Sequence, residues 1–72
     1  MRYIAVFPTM TLSQKAQRVL RREGIRSEVV KVDSSLTRRG CSWGVAFDAE
    51  DLFAVRMQFS THAINERELI RE

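Results

Sequence analysis

Cys41 is the only cysteine in this chain of 72 residues, and it stands within "RRGCSWGVAF", directly behind Arg38, Arg39 and Gly40. A thiolate, rather than a thiol, attacks sulfur and accepts transferred atoms. Neighbouring cations and helix N-termini lower a thiol's pKa and so raise the thiolate fraction. Two arginines followed by a cysteine therefore carry one specific chemical expectation, a reactive sulfur in a positive field. A plainer reading stands beside it. Free cysteine is often a small buried hydrophobe, and an arginine pair is by default a solvated loop. On that reading the stretch only leads into a core strand.

Composition narrows what else the chain does. One cysteine excludes an internal disulfide, and with one histidine it leaves too few soft ligands for a zinc site. No phosphate-binding glycine loop, serine triad spacing or obvious carboxylate pair occurs, so no metal and no cofactor are expected. Tyr3 to Pro8 is too short for a signal peptide or a membrane span, and the expected setting is cytoplasmic. The length suits one domain over residues 1–72. Net charge is +3 with a pI near 9.8, and ten of the twelve basic residues are arginine. That balance suits anionic partners but is modest for a protein that grips nucleic acid.

The elements that must position Cys41 follow from pattern and punctuation. Tyr3 to Phe7 reads as a buried strand stopped by Pro8. Thr11 is expected to cap a helix over 11–23, since Thr11-Leu12-Ser13-Gln14 has capping-box spacing. Its apolar stripe is Leu12, Ala16, Val19 and Leu20, and Gly24-Ile25 forms its exit. Glu28 to Val32 is a second strand, Asp33 to Gly40 a polar loop, and Ser42 to Phe47 a third strand. Asp48 is expected to cap a second helix over 49–62, with Leu52, Val55, Phe59 and Ala63 inside and His62 near its end. Arg67 to Arg71 completes the set as a weak strand. Leu20 and Ile25 stand five apart, as do Phe59 and Ile64, so the halves repeat one plan. Two such units predict βαββαβ, an α+β ferredoxin-like two-layer sandwich with an antiparallel four-stranded sheet and both helices on one face.

In that topology the loop before strand three lies at the same end as the turn after strand one. Cys41 is then expected to face Pro8 to Thr11 and the start of the first helix, whose unpaired N–H groups carry about half a positive charge. Thr9 and Thr11 offer hydroxyls to an anion there. A second use of the same fold is RNA reading, since Arg39-Gly40 before Trp43, Val45 and Phe47 has some likeness to the aromatic third strand of RNA-recognition motifs. Tyr3 and Phe7 would supply the neighbouring strand. The match breaks at Cys41-Ser42, and the bulky parity of both strands is better used as core, so nucleic acid is not the favoured partner.

Taken in order, the residues resemble the Se/S carrier protein-like domains. The resemblance rests on Phe7-Pro8-Thr9, then Lys15-Ala16, Gly24-Ile25, a valine-rich strand, Ser34-Ser35, the lone Cys41, and Glu50-Asp51-Leu52. It covers nearly the whole chain, with departures. Glycine follows the cysteine at Gly44 rather than directly, and Ala63-Ile64 stands where glycine-isoleucine is usual. The resemblance implies a carrier of sulfur or selenium, at most sulfurtransferase-like rather than a turnover enzyme. Cys41 would hold the atom as a persulfide or selenosulfide. Arg38, Arg39, Gly40, Thr9 and Thr11 would bind or stabilise the anion. A protein donor, desulfurase-like or selenocysteine-processing, and a protein acceptor would be its partners. The alternative is a non-catalytic interaction or regulatory module whose weak fourth strand leaves an edge for a homodimer.

Overall fold

The computed structural model describes residues 1–33 and 42–72. Four strands, β1 (Arg2–Phe7), β2 (Ser27–Val32), β3 (Ser42–Asp48) and β4 (Glu68–Arg71), form one sheet in the order β2-β3-β1-β4. Every pairing is antiparallel, with β1 and β3 central. Two helices, α1 (Met10–Arg22) and α2 (Leu52–Thr61), complete the βαββαβ order. This is the expected ferredoxin-like sandwich.

Alternation along the central strands sorts side chains into two sets. Ala5, Phe7, Val45 and Phe47 face the helices and pack with Ala16, Val19, Leu20, Val55, Phe59 and Ile64 in one buried cluster. Phe7 meets Phe59 edge-on with ring centroids 5.9 Å apart, and Tyr3 stacks on Phe47 at 6.2 Å. Ile4, Val6, Val32 and Ala46 form a second buried cluster on the other side of the sheet. Gly44 permits that closure. A Cβ there would lie 2.6 Å from the Ile4 Cγ2 and 3.0 Å from the Val32 Cγ2, so only glycine lets both chains close over the strand.

Three local expectations are corrected. Helix α1 begins at Met10, not Thr11, because Thr9 is its cap. Pro8 ends the ladder after Phe7, so the chain has turned into the helix two residues sooner than the capping-box spacing suggested. Within α1, Ser13 and not Leu12 joins the buried stripe; Leu12 is 42% exposed. The second helix is preceded by a 3₁₀ turn over Ala49–Asp51, and the Asp48 side chain makes no capping bond. The Ala49 N–H donates instead to the Met1 carbonyl at 3.0 Å. That bond carries the β1–β3 pairing one residue past Asp48, and regular α-helix starts only at Leu52.

Both helices end in the same hydrogen-bonded turn, which explains the five-residue spacing seen in the sequence. The Ile25 N–H donates to the Leu20 carbonyl at 2.9 Å, and the Gly24 N–H to the Arg21 carbonyl at 3.0 Å. In α2, Ile64 donates to Phe59 at 2.8 Å and Ala63 to Ser60 at 3.3 Å. These are the paired bonds of a Schellman exit, which requires a left-handed residue after the cap. Gly24 has φ +74°, and Ala63 takes φ 54° despite its Cβ. Ala63 is thus exposed on the exit turn and does not belong to the inner stripe of α2. His62 is the C-cap residue, as expected, and its N–H donates to the Gln58 carbonyl at 3.1 Å.

Two stability outcomes follow from this packing. Ala63→Gly should raise unfolding free energy by about 1 kcal/mol and Gly24→Ala should lower it by a similar amount, because only the first relieves a side chain from the left-handed region. Urea denaturation of both variants checks the opposite signs. Phe47→Ala should cost about 3–5 kcal/mol by the same measurement, as its ring is fully buried between Tyr3 and the helices.

Candidate functional site

The end of the sheet where β1 finishes is built by three elements. Phe7 pairs with Trp43, the second residue of β3. Val32, the last residue of β2, pairs with Ser42, the first residue of β3. Pro8 cannot donate to a ladder, so the chain leaves the sheet and Thr9 takes an extended conformation, φ −135° and ψ 156°. The Thr9 Oγ1 then accepts from the Leu12 N–H at 3.2 Å, and its carbonyl accepts from the Ser13 N–H at 3.3 Å. Helix α1 carries no acidic residue in its first turn, so the positive end of its dipole is not offset by side chains of its own.

Thr9 is therefore a cap whose hydroxyl is already engaged as an acceptor, while its O–H is left to donate. Thr11 lies exposed in the first turn. The Gln14 side chain, which a capping box would turn back to the backbone, donates to the Met10 Sδ at 3.6 Å instead. Cys41, Arg38, Arg39 and Gly40 lie outside the described residues. Cys41 is bonded in the chain to Ser42, which pairs with Val32 of β2, and the next residue, Trp43, pairs with Phe7 at the end of β1.

Ser13 is a residue that sequence reasoning missed. Its side chain is fully buried, and its Oγ has no hydrogen-bond partner among the described residues. A buried hydroxyl without a partner costs on the order of 1–3 kcal/mol, so its presence is not explained by packing alone. Ser13, Ala16 and Leu20 follow one helix face at spacings of three and four, and that pattern held the information. Assigning the face to the more hydrophobic Leu12 displaced it.

Beside the α1 N-terminus a hollow of about 270 Å³ opens between Phe7, Leu12 and Lys15 on one side and Ala63, Ile64 and Asn65 on the other. Its outer wall is the exit turn of α2, held by the two Schellman bonds. The opposite end of the sheet has a different character. The Arg2 Nε donates to the Glu72 Oε1 at 2.7 Å and the Arg2 Nη1 to the Glu28 Oε1 at 2.8 Å, tying β2, β1 and the residue after β4 together. These bonds hold the Glu72 carboxyl below the usual glutamate range and push the guanidinium pKa higher still. The two ends are separated by the length of β1, roughly 16 Å at the strand rise.

The aromatic surface that RNA reading would need does not form. Tyr3 lies against Phe47, and by register Trp43 shares a face with Phe7, toward the helices. Among the described residues no helix is long and apolar enough to cross a membrane.

The described residues define a small ferredoxin-like domain whose central strand β3 opens at Ser42. The chain belongs to the family described as "Putative Se/S carrier protein-like", which matches residues 2–71. No curated protein and no solved structure matches the chain at a significant level.

The capping geometry separates the two threonines experimentally. Thr9→Ala should destabilise the protein by about 1 kcal/mol, whereas Thr11→Ala should change stability by less than about 0.5 kcal/mol. Thermal denaturation of the two variants side by side reads the difference.

Proposed function

We propose that the protein carries sulfur or selenium on Cys41 and passes it between two other proteins. The observation that carries this reading is the family match over residues 2–71. The geometry around Ser42 supports it. The start of β3 adjoins the α1 N-terminal turn, where free N–H groups, the Thr9 hydroxyl and an unbalanced helix dipole favour an anion. In this reading Arg38 and Arg39 add full positive charge, and Gly40 and Thr11 belong to the same anion-binding set.

The transfer is a thiol exchange in both directions. The Cys41 thiolate attacks the outer sulfur of a donor persulfide, the new S–S bond forms on Cys41, and the donor's own S–S bond breaks to release a thiolate. The terminal proton stays with the transferred sulfur, and no external oxidant or reductant is consumed. A selenium atom in the outer position follows the same path. With no second cysteine in the chain, release depends on an acceptor thiolate that attacks the outer atom of the Cys41 adduct or on a small reductant that cleaves it.

A second reading, a non-catalytic interaction module, is favoured by one observation. Phe53 is 77% and Met57 52% exposed, one turn apart on the outer face of α2. Such a module, with itself or another protein as partner, would be indifferent to Cys41.

Alkylation of Cys41 across pH, followed by intact-mass analysis after incubation with a persulfide donor, tests the carrier reading. The thiol should titrate about one to two units below its reference near 8.5, gain the mass of one sulfur atom, and lose reactivity when Arg38 and Arg39 are both changed to Ala. Resistance to alkylation until the protein unfolds, or no mass gain, would sink it.

A further inference from the structure

The geometry points to the outer face of α1 as a docking surface for an acidic protein segment with an apolar anchor. Lys15, Arg18 and Arg22 recur at spacings of three and four, so they form one stripe about 10 Å long along the helix. All three are exposed. The stripe has no acidic residue within the helix itself, and the ion pairs with resolved partners among the described residues both belong to Arg2, at the far end of the sheet. Five other exposed residues of the helix, Met10, Thr11, Leu12, Gln14 and Arg21, add no negative charge. The face is a cationic surface without an internal counter-charge.

The apolar half of the surface begins where the stripe ends. Lys15 also borders the hollow whose walls are Phe7, Leu12, Ala63, Ile64 and Asn65, and Leu12 at its rim is 42% exposed. Ala63 holds the wall in a left-handed conformation that an alanine adopts at a cost, while its neighbour Ile64 is anchored to Phe59. A cationic stripe continuous with an apolar hollow of about 270 Å³ is complementary to a segment that presents carboxylates at helical spacing and one leucine-sized side chain beyond them. A nucleic acid would use the stripe but has no group for the hollow, and the aromatic rings of the sheet are turned inward. An acidic protein is the occupant that uses both halves.

That this partner is a donor or an acceptor rests on the carrier reading; the surface itself does not. The test therefore uses the Cys41→Ser protein, so that loss of the thiol and loss of docking are read apart. The probe is a fluorescein-labelled helical peptide with glutamates at positions i, i+3 and i+7 and a leucine one turn beyond. Controls are the same peptide with glutamine for glutamate, with alanine for leucine, and a short oligouridylate. Anisotropy titrations at low and moderate salt should show the acidic leucine peptide binding at least tenfold tighter than the glutamine form and about threefold tighter than the alanine form. Lys15→Glu, Arg18→Glu and Arg22→Glu together should weaken binding more than tenfold, and a peptide with lysines in place of the glutamates should restore it. Leu12→Ala should remove the preference for leucine while leaving the salt dependence. Circular dichroism of each variant establishes that these exposed changes leave the fold intact. Equal binding by the charge-reversed protein, no rescue by the lysine peptide, or tighter binding of the oligouridylate than of the peptide would overturn the proposal.

Discussion

The pairing of β1 with β3 is the constraint on which the rest depends. Six consecutive pairs, from Arg2 with Asp48 to Phe7 with Trp43, set the register of the two central strands. A slip of one residue would move every side chain of the slipped strand to the other face. With β3 slipped, Val45 and Phe47 would leave the helices while Phe7 stayed, and Gly44 would no longer lie where Ile4 and Val32 need to close. The register is thus held by bulk on one face and by the absence of bulk on the other.

The same pairing gives the domain two unlike ends. At one end Arg2 gathers Glu28 and Glu72, a charged clamp at the start of β1. Exposed ion pairs of this sort contribute little to stability. At the other end Pro8 and Thr9 turn the chain directly into a helix whose N-terminus has no acidic neighbour in its first turn. Chemistry that favours anions and chemistry that consumes cations are kept about a strand's length apart. A carrier thiol placed at the α1 end would meet a positive field with little competition.

The repeated helix exit links stability to surface. Both exits satisfy two carbonyls that would otherwise be orphaned, and both seat an isoleucine against its helix. They differ in one residue. Gly24 adopts its conformation without strain, whereas Ala63 pays a steric cost and in return puts a methyl group on the wall of the hollow beside Lys15. The strained residue of the two exits therefore lies at a surface feature rather than in the core.

Much of the fold was legible in the residues alone. Strand parity, the Pro8 stop, Gly24-Ile25 and its echo at Ile64 are local patterns whose physical meaning does not depend on distant neighbours, and they sufficed for βαββαβ and for the central position of β1 and β3. Local pattern failed where a distant atom competes. Asp48 looked like a cap, but its side chain makes no capping bond and a 3₁₀ turn follows it. Leu12 outranks Ser13 in hydrophobicity, yet the angle at which α1 lies on the sheet buries the serine and exposes the leucine. Thr9 and Thr11 are equally good caps by type, and the point at which the chain leaves β1 chose between them. For Cys41 the sequence supplies the thiol, the arginines and the family. The tertiary structure adds that the residue bonded to it begins a central strand beside a helix N-terminus, because antiparallel pairing brings the start of β3 to the end of β1.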